Sequence, residues 1–236
     1  MPTIYTFKRV EKKYLLSKEE YEYVLDKITP YMHIDKYGET EISNIYFDNT
    51  NDELIETSLS KPAYKEKLRL RSYSTPDLDS TVFFEIKKKF KGTVYKRRIK
   101  LSLYDAYRYI ETGEMPKSLS GNIPFEIDYM MKKYKLFPKV FVGSKRKAFV
   151  ANDDSDLRIT FDCDIVTRYE NINLENGYFG DRIIPKNTYL MEIKIPNAMP
   201  LWLAHILSEK QIFPQSFSKV GKAHLQHKYR KDEQYV

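Results

Sequence analysis

Charged and apolar residues alternate along Lys65–Tyr73, and this alternation constrains the fold more than any other feature of the chain. Leu68 and Leu70 fall on one side of an extended segment, and four basic residues fall on the other. The basic residues are Lys65, Lys67, Arg69 and Arg71. An ordinary antiparallel sheet buries its apolar side and leaves the charged side in water. The rest of the chain must therefore show whether this basic side faces water or another part of the protein.

The same two-sided pattern recurs along the whole chain. At least six segments carry apolar residues on one side and arginine, lysine or glutamate on the other. The predicted strands cover residues 5–15, 41–48, 65–73, 82–89, 94–101, 140–150, 157–165 and 188–195. The predicted helices cover residues 18–29, 52–59, 102–112, 125–134, 200–210 and 217–229. The first helix opens with a capping box formed by Ser17 and Glu20, and helices between the strands supply apolar stripes.

These elements predict an α+β fold, with a closed antiparallel β-barrel or tunnel and helices packed outside it. If helices cover the apolar sides of the strands, the charged sides converge in the interior, and closure removes the sheet edges. An open antiparallel sheet with one side in water would show the same alternation, so the pattern alone does not distinguish the closed barrel from the open sheet. No tandem repeat or low-complexity linker interrupts the chain, and we predict one domain over residues 1–236.

Composition narrows the function classes. The 236 residues are 42% hydrophobic, which excludes a disordered chain, and the net charge of +7 favours polyanionic partners. Nucleic acid, phosphorylated metabolites and acidic membrane surfaces all qualify, and a surface with surplus lysine would give the same charge. The single cysteine, Cys163, forms no internal disulfide, and no zinc spacing is present. No segment approaches the roughly 20 apolar residues of a membrane span, and no signal peptide is recognisable, so we expect a cytoplasmic protein.

A barrel interior lined with arginine and lysine indicates an anionic ligand. An unpaired buried cation costs several kcal/mol, and the glutamates on the same strand sides offset only part of the charge. Arginine at alternate positions suits phosphate, because its planar fork binds phosphate oxygens bidentately. Glutamate repels phosphate, but it fits if a divalent cation bridges the carboxylate and the phosphate, and oxygen ligands suit magnesium or manganese.

Eight short motifs, in order along nearly the whole chain, resemble the VTC domain. That domain is the polyphosphate polymerase module of the triphosphate tunnel metalloenzyme (CYTH-like) superfamily. The motifs are Arg9-Val10-Glu11-Lys12-Lys13-Tyr14, Tyr46-Phe47-Asp48, Leu68-Arg69-Leu70-Arg71, Glu85-Ile86-Lys87, Lys96-Arg97-Arg98, Arg146-Lys147-Ala148-Phe149, Glu192-Ile193-Lys194 and Phe217-Ser218-Lys219. The resemblance implies an antiparallel tunnel whose basic interior holds a triphosphate or polyphosphate chain together with Mn²⁺ or Mg²⁺.

The resemblance also implies roles for individual residues. The residues expected to be catalytic are Arg69, Arg71, Lys87 and Arg146. The residues expected to bind substrate are Lys13, Arg69, Arg71, Lys87, Lys96, Arg98, Arg146, Lys194, Ser218, Lys219 and Lys222. Glu192 would be the principal metal ligand, with Glu85 and Glu11 as weaker candidates. Arg9 stands where the superfamily signature has its first glutamate, a departure that fits a polymerase better than a simple triphosphatase.

The expected function is therefore polyphosphate polymerisation from a nucleoside triphosphate, with ATP and inorganic polyphosphate as partners. The acceptor phosphate of such a chain is already anionic, so the reaction needs no histidine or aspartate base. A tunnel triphosphatase and a non-catalytic module for polyphosphate or inositol phosphate remain alternatives. Nucleic-acid binding ranks last, because no nucleic-acid motif is present. No membrane span is expected, although a membrane partner would be compatible with the chain.

Overall fold

The computed structural model describes residues 5–7, 10–91, 93–153, 156–195 and 198–234. The strands are β1 (Tyr5–Phe7), β2 (Val10–Leu16), β3 (Met32–Asp48), β4 (Tyr64–Tyr73), β5 (Thr81–Phe90), β6 (Thr93–Ser102), β7 (Phe137–Ala151), β8 (Arg158–Arg168), β9 (Asp181–Arg182) and β10 (Tyr189–Ile195). The helices are α1 (Lys18–Ile28), α2 (Glu53–Leu59), α3 (Leu103–Thr112), α4 (Asn122–Tyr134), α5 (Leu201–Glu209) and α6 (Lys219–Gln234), and a 3₁₀ turn covers Leu174–Asn176. Arg9 of the first motif and Gly92, which lies between the predicted strands 82–89 and 94–101, are outside the described residues.

Most predicted elements are confirmed, because local signals specify them. Ser17 caps α1 as expected: its hydroxyl accepts from Glu20 N at 3.2 Å, and the Glu20 carboxylate accepts from Ser17 N at 2.7 Å. Strand β3 is longer than predicted and begins at Met32 instead of near Glu41. Its first half lacks clean alternation and is held by pairing with β7, across a register shift between Ile34 and Glu39.

The strands form one sheet in the order β1-β6-β5-β4-β3-β7-β8-β10-β2, with β9 attached to β8, and the described neighbours pair antiparallel. The two ends of this path, β1 and β2, are consecutive in the chain, but no ladder joins them among the described residues. The prediction of an α+β fold with a large antiparallel sheet is confirmed, whereas closure into a barrel is not. Closure would require β1 and β2 to pair with each other, and the alternation within a strand does not specify which strands pair.

The sheet nevertheless curls strongly, as shown by a contact between distant strands. Lys87 on β5 and Glu11 on β2 lie six strands apart along the sheet, yet Lys87 Nζ is 3.5 Å from Glu11 Oε2. The charged sides of the strands therefore face each other across a concave surface. The helices pack mainly on the opposite, apolar side.

Two apolar clusters cover the convex side of the sheet. In the first, Leu68, Leu70 and Phe84 of β4 and β5 pack beneath α3 and α4. In the second, Tyr14, Ile193 and other side chains of β2, β8 and β10 pack beneath α1 and α5. This burial explains why the leucines of the opening segment point away from its arginines.

Helix α6 crosses one end of the concave surface. Its Val220 and Ala223 join Val140 and Val142 of β7 and Leu190 of β10 in a third apolar cluster. The N-terminal end of α6 consequently lies among the charged side chains of the sheet. No described helix is long and apolar enough to cross a membrane.

Candidate functional site

The concave surface carries a large excess of positive charge. Among the described residues, ten cationic side chains and four carboxylates meet there, which gives a formal excess of six positive charges. We call this set the charged face. Its cations are Lys13, Lys67, Arg69, Arg71, Lys87, Lys96, Arg98, Arg146, Lys194 and Lys219, and its carboxylates are Glu11, Glu85, Asp162 and Glu192. Such an excess in a partly buried surface favours an anionic ligand.

Glu85 organises one half of the charged face. Its side chain is 1% exposed, and its Oε2 accepts from Arg69 Nε at 2.8 Å and from Arg69 Nη2 at 2.6 Å. Three further cations lie within 3.9 Å of its carboxylate oxygens: Arg71, Lys96 and Arg98. Burial alone would raise the pKa of this carboxyl, but Arg69, Arg71 and Lys96 hold it well below its usual range. Glu85 is thus an ionised anchor that fixes the surrounding cations.

Arg69 is held on two sides. Glu85 accepts from its Nε and Nη2, and the Tyr46 hydroxyl accepts from its Nη1 at 3.0 Å. A guanidinium has five N–H groups, so two remain free, one on each terminal nitrogen. These two N–H groups can donate to phosphate oxygens.

Asp162 organises the other half. Arg146 donates to it twice, from Nε to Oδ1 at 2.6 Å and from Nη2 to Oδ2 at 2.7 Å. Lys219 at the start of α6 also donates to Asp162 Oδ2, and it lies 3.1 Å from Ser144 Oγ. Burial would raise the pKa of the Asp162 carboxyl, but Arg146 and Lys219 hold it well below its usual range.

Sequence reasoning missed Asp162 as a site residue. The available signal was its phase in β8, where Ile159 and Phe161 are buried beneath helices and Asp162 therefore takes the charged side. Its pairing opposite Arg146 in the β7–β8 ladder depends on register, which the sequence pattern did not specify.

A third group of charges surrounds Lys13. Its Nζ lies 3.4 Å from Glu11 Oε1 and 3.7 Å from Glu192 Oε2, and it donates to Phe217 O at 3.0 Å. Lys194 Nζ lies 3.0 Å from the other Glu192 oxygen. Burial lowers the pKa of Lys13, but Glu192 and Glu11 together raise it above its usual value.

The N-terminal end of α6 meets the charged face at Ser218. Lys67 Nζ donates to Ser218 Oγ at 3.1 Å, and that oxygen also accepts from Gly221 N at 3.2 Å. Lys67 is not among the residues expected from sequence to bind substrate, but the structure places it beside α6. Lys222, expected to bind substrate, is exposed on α6.

Several lysines of the charged face have lowered pKa values. Burial lowers the pKa of Lys67 to about 8; Tyr46 opposes this shift, and neighbouring lysines add to it. Burial lowers the pKa of Lys96 to about 7 and that of Lys219 to about 8, although a carboxylate opposes the shift in each case. An anionic ligand would therefore raise these pKa values and stabilise the protonated form of the three lysines.

The carboxylates differ in how well they fit a divalent metal ion. Four cations surround Glu85, whereas Glu11 and Glu192 share Lys13 and have one further cation each, Lys87 and Lys194. Among the described residues, no group of three or more His, Cys, Asp or Glu side chains is placed to hold a metal. Mg²⁺ commonly uses one or two carboxylates plus substrate phosphates. Glu192 and Glu11 fit that arrangement better than Glu85.

The chain is similar in sequence to one protein family and in structure to solved proteins. The family model described as the VTC domain matches residues 8–226. A proposed adenylate cyclase from Bacillus halodurans has a similar structure, with a TM-score of 0.56 and 16% identity over 90% of this chain and 95% of that one. Another proposed adenylate cyclase, from Vibrio parahaemolyticus, reaches a TM-score of 0.49 and 12% identity over 93% of this chain and 99% of that one. No curated protein matches. At these identities the first structure shows a shared fold alone.

Proposed function

Because the chain belongs to the VTC domain family, we propose that it is a polyphosphate polymerase that transfers the terminal phosphoryl group of a nucleoside triphosphate, taken to be ATP, to a growing polyphosphate chain. The observation that carries the proposal is the excess of six positive charges on the charged face, held in place by buried carboxylates. A linear polyanion supplies many closely spaced negative charges, and an extended concave surface can contact them together.

The proposed chemistry depends on orientation and on charge stabilisation. Arg69 presents two free N–H groups, and Arg71 is fixed by donation from its Nε to Asn44 Oδ1 at 2.9 Å. Arg146 is fixed by Asp162, and Lys87 extends from β5 beside Glu11. Cations that are oriented before substrate arrives stabilise the charge of the transferring group without reorganisation.

In the proposed reaction, a terminal oxygen of the polyphosphate chain forms a bond to the γ-phosphorus of ATP. The bond between that phosphorus and the bridging β–γ oxygen breaks, and ADP leaves with the bond electrons. The attacking oxygen is anionic, so no side chain has to remove a proton from it. The histidines lie elsewhere: His33 contacts Asn152, His205 is exposed, His224 contacts Glu56 and His227 stacks on Tyr169.

The metal requirement is part of the proposal. Glu192, with Glu11 beside it, would hold Mn²⁺ or Mg²⁺ together with substrate phosphates, and the ion would supply additional positive charge to phosphate oxygens. Arg69, Arg71, Lys87 and Arg146 would bind and orient the phosphates around the ion.

The test is to incubate the purified protein with ATP and Mn²⁺ and to measure polyphosphate and ADP. Chain growth matched by ADP formation is the expected result. Release of inorganic phosphate without chain growth would replace the polymerase by a triphosphatase, and binding without turnover would leave a polyanion-binding module.

A matched pair of variants links activity to the charged face. Lys87→Ala removes a cation of the charged face, whereas Lys88→Ala removes its neighbour on the convex side, where Lys88 pairs with Glu126 at 2.7 Å. We expect Lys87→Ala to lose at least about tenfold in kcat/KM and Lys88→Ala to retain the wild-type value, since a single charge-assisted contact is worth about 1.5–3 kcal/mol.

A further inference from the structure

Tyr46 occupies a central position on the concave side of the sheet, in a place where a phenol is unexpected. It lies opposite Arg69 in the β3–β4 ladder, its hydroxyl accepts from Arg69 Nη1 at 3.0 Å, and the Arg69 guanidinium carbon lies 5.8 Å from the ring centroid. Tyr46 belongs to the Tyr46-Phe47-Asp48 motif, but it has no role in the phosphoryl transfer proposed above. Its hydroxyl nevertheless contacts Arg69, a side chain that the proposed function assigns to phosphate binding.

Positive charge surrounds the Tyr46 hydroxyl from three elements. Lys67, Arg69 and Arg71 of β4 act on it, and so do Lys13 of β2 and Lys219 of α6. A pocket beside it is lined by further ionisable groups, which are Asp48, Asp52, Lys139, Tyr169 and His224. Lys139 is engaged with Asp52 at 3.1 Å, His224 contacts Glu56, and Asp48 accepts from the backbone N–H groups of Leu54 and Ile55.

The cations decide the ionisation of Tyr46. Burial raises the pKa of its phenol, but Arg69, Lys67 and Arg71 outweigh burial and lower this pKa to about 7. The lowered pKa brings the phenolate form of Tyr46 within reach near neutral pH, beside the Arg69 guanidinium that its hydroxyl contacts. Burial instead raises the pKa of other tyrosines, such as Tyr64, Tyr109 and Tyr178.

We propose that Tyr46 is a positioning residue whose phenolate serves as the counter-charge of Arg69 in the ligand-free site, and that binding of a phosphate polyanion returns a proton to it. The incoming phosphate oxygens supply negative charge to the same cations, so the phenolate loses its stabilisation and its oxygen takes one proton from solvent. As a neutral hydroxyl it still accepts from Arg69 Nη1 and keeps the two free N–H groups aimed at the ligand. This inference rests on the proposed function only in taking a phosphate polyanion as the ligand.

The sign of the pH dependence follows from this exchange. Above the pKa of Tyr46, binding requires uptake of a proton, so affinity for the polyanion falls as pH rises, by up to about tenfold per pH unit for one coupled proton. Lys67, Lys96 and Lys219 also gain protons on binding and change affinity in the same direction. The pH dependence of binding is therefore shared, whereas the absorbance of a tyrosinate belongs to tyrosine alone.

The experiment is a titration with tripolyphosphate in EDTA at about pH 8, a pH above the lowered pKa of Tyr46 and below the ordinary tyrosine value of about 10. The near-ultraviolet absorbance of tyrosinate is followed together with the dissociation constant. We expect the free wild-type protein to show about one tyrosinate, which disappears as tripolyphosphate saturates the site. Tyr46→Phe should lack this signal and still bind tripolyphosphate, with a pH dependence shallower by up to about tenfold per pH unit.

Tyr64→Phe is the matched control, because the Tyr64 hydroxyl donates to Glu66 at 2.8 Å instead of facing the charged face. It should show the wild-type tyrosinate signal and its loss on binding. Tripolyphosphate binding that leaves the tyrosinate signal intact, or a signal that persists in Tyr46→Phe, would overturn the inference. Failure of the wild-type protein to bind tripolyphosphate would overturn the polyanion site and the proposed function with it, whereas binding and signal loss in a protein without polymerase activity would support the inference alone.

Discussion

Replacement of Glu85 by glutamine removes the negative charge from the centre of four cations while preserving the size of the side chain. Glu85 is 1% exposed, with Arg69 Nη2 at 2.6 Å and Lys96 Nζ at 2.9 Å, so water screens these contacts little. Removing the carboxylate of such a buried pair costs about 3–5 kcal/mol, because Arg69 and Arg71 remain largely buried without it. For a domain of this size, that loss lowers Tm by about 10 °C.

The assay is thermal and urea unfolding of the Glu85→Gln variant, alongside a control in the neighbouring strand. Glu66 is also buried, but it faces the convex side, where it accepts from the hydroxyls of Tyr64 and Tyr134. Glu66→Gln should also be less stable than the wild-type protein. The two variants should differ in how much tripolyphosphate raises their unfolding free energy. A ligand at 100 times its dissociation constant stabilises a protein by about 2.7 kcal/mol. At a fixed concentration we expect greater stabilisation of Glu85→Gln than of wild type, since phosphate supplies the missing charge.

Glu66→Gln should respond to tripolyphosphate as the wild-type protein does. An unfolding free energy for Glu85→Gln within about 1 kcal/mol of wild type would refute the reasoning, since that is far below the cost of breaking a buried pair. An equal response of both variants to tripolyphosphate would show that Glu85 does not neutralise the cations that bind phosphate.

The two halves of the charged face give further expectations. Asp162→Asn should release Arg146 and Lys219, because it removes the negative charge to which both donate. The unfolding free energy, measured by urea unfolding, should fall by about 3–5 kcal/mol, and kcat, measured from polyphosphate formation, should also fall. The pKa of Asp162 is depressed in the folded protein, so the stabilisation it provides is complete above the unfolded pKa of about 3.9 and is lost as pH falls further. In this acidic range the unfolding free energy of Asp162→Asn should therefore fall less steeply with decreasing pH than that of the wild-type protein. Arg98→Ala should weaken tripolyphosphate binding and reduce its salt dependence, whereas Arg97→Ala, which removes a convex-side partner of α4 at 2.5 Å, should leave both unchanged in a calorimetric titration.

Much of the candidate site could be predicted from sequence because strand periodicity is local. The phase of Arg69 and Arg71 against Leu68 and Leu70 placed both arginines on the charged face. Glu192 was assigned to the same face by the same alternation and by the family motif, and its role as a metal ligand stays a prediction.

Sequence could not supply the partners of these side chains. The pairs Arg146–Asp162 and Lys67–Ser218 join residues 16 and 151 positions apart. Their contacts depend on strand register and on the seating of α6, which long-range packing determines. Long-range packing also brings five cations to Tyr46, so the sequence shows Tyr46 only as part of a motif.

The sequence by itself determined the elements, the apolar side of each strand and the surplus of basic residues, because alternation, helix caps and composition act within short stretches of chain. Only the tertiary structure decided that the sheet curls until Lys87 approaches Glu11, that Glu85 and Asp162 each collect several cations, and that the ladder between β1 and β2 stays unformed among the described residues. Curl and register arise from the summed twist and pairing of many strands, and the electrostatics of the site follow from them, since charge interactions depend on distances that no local pattern specifies.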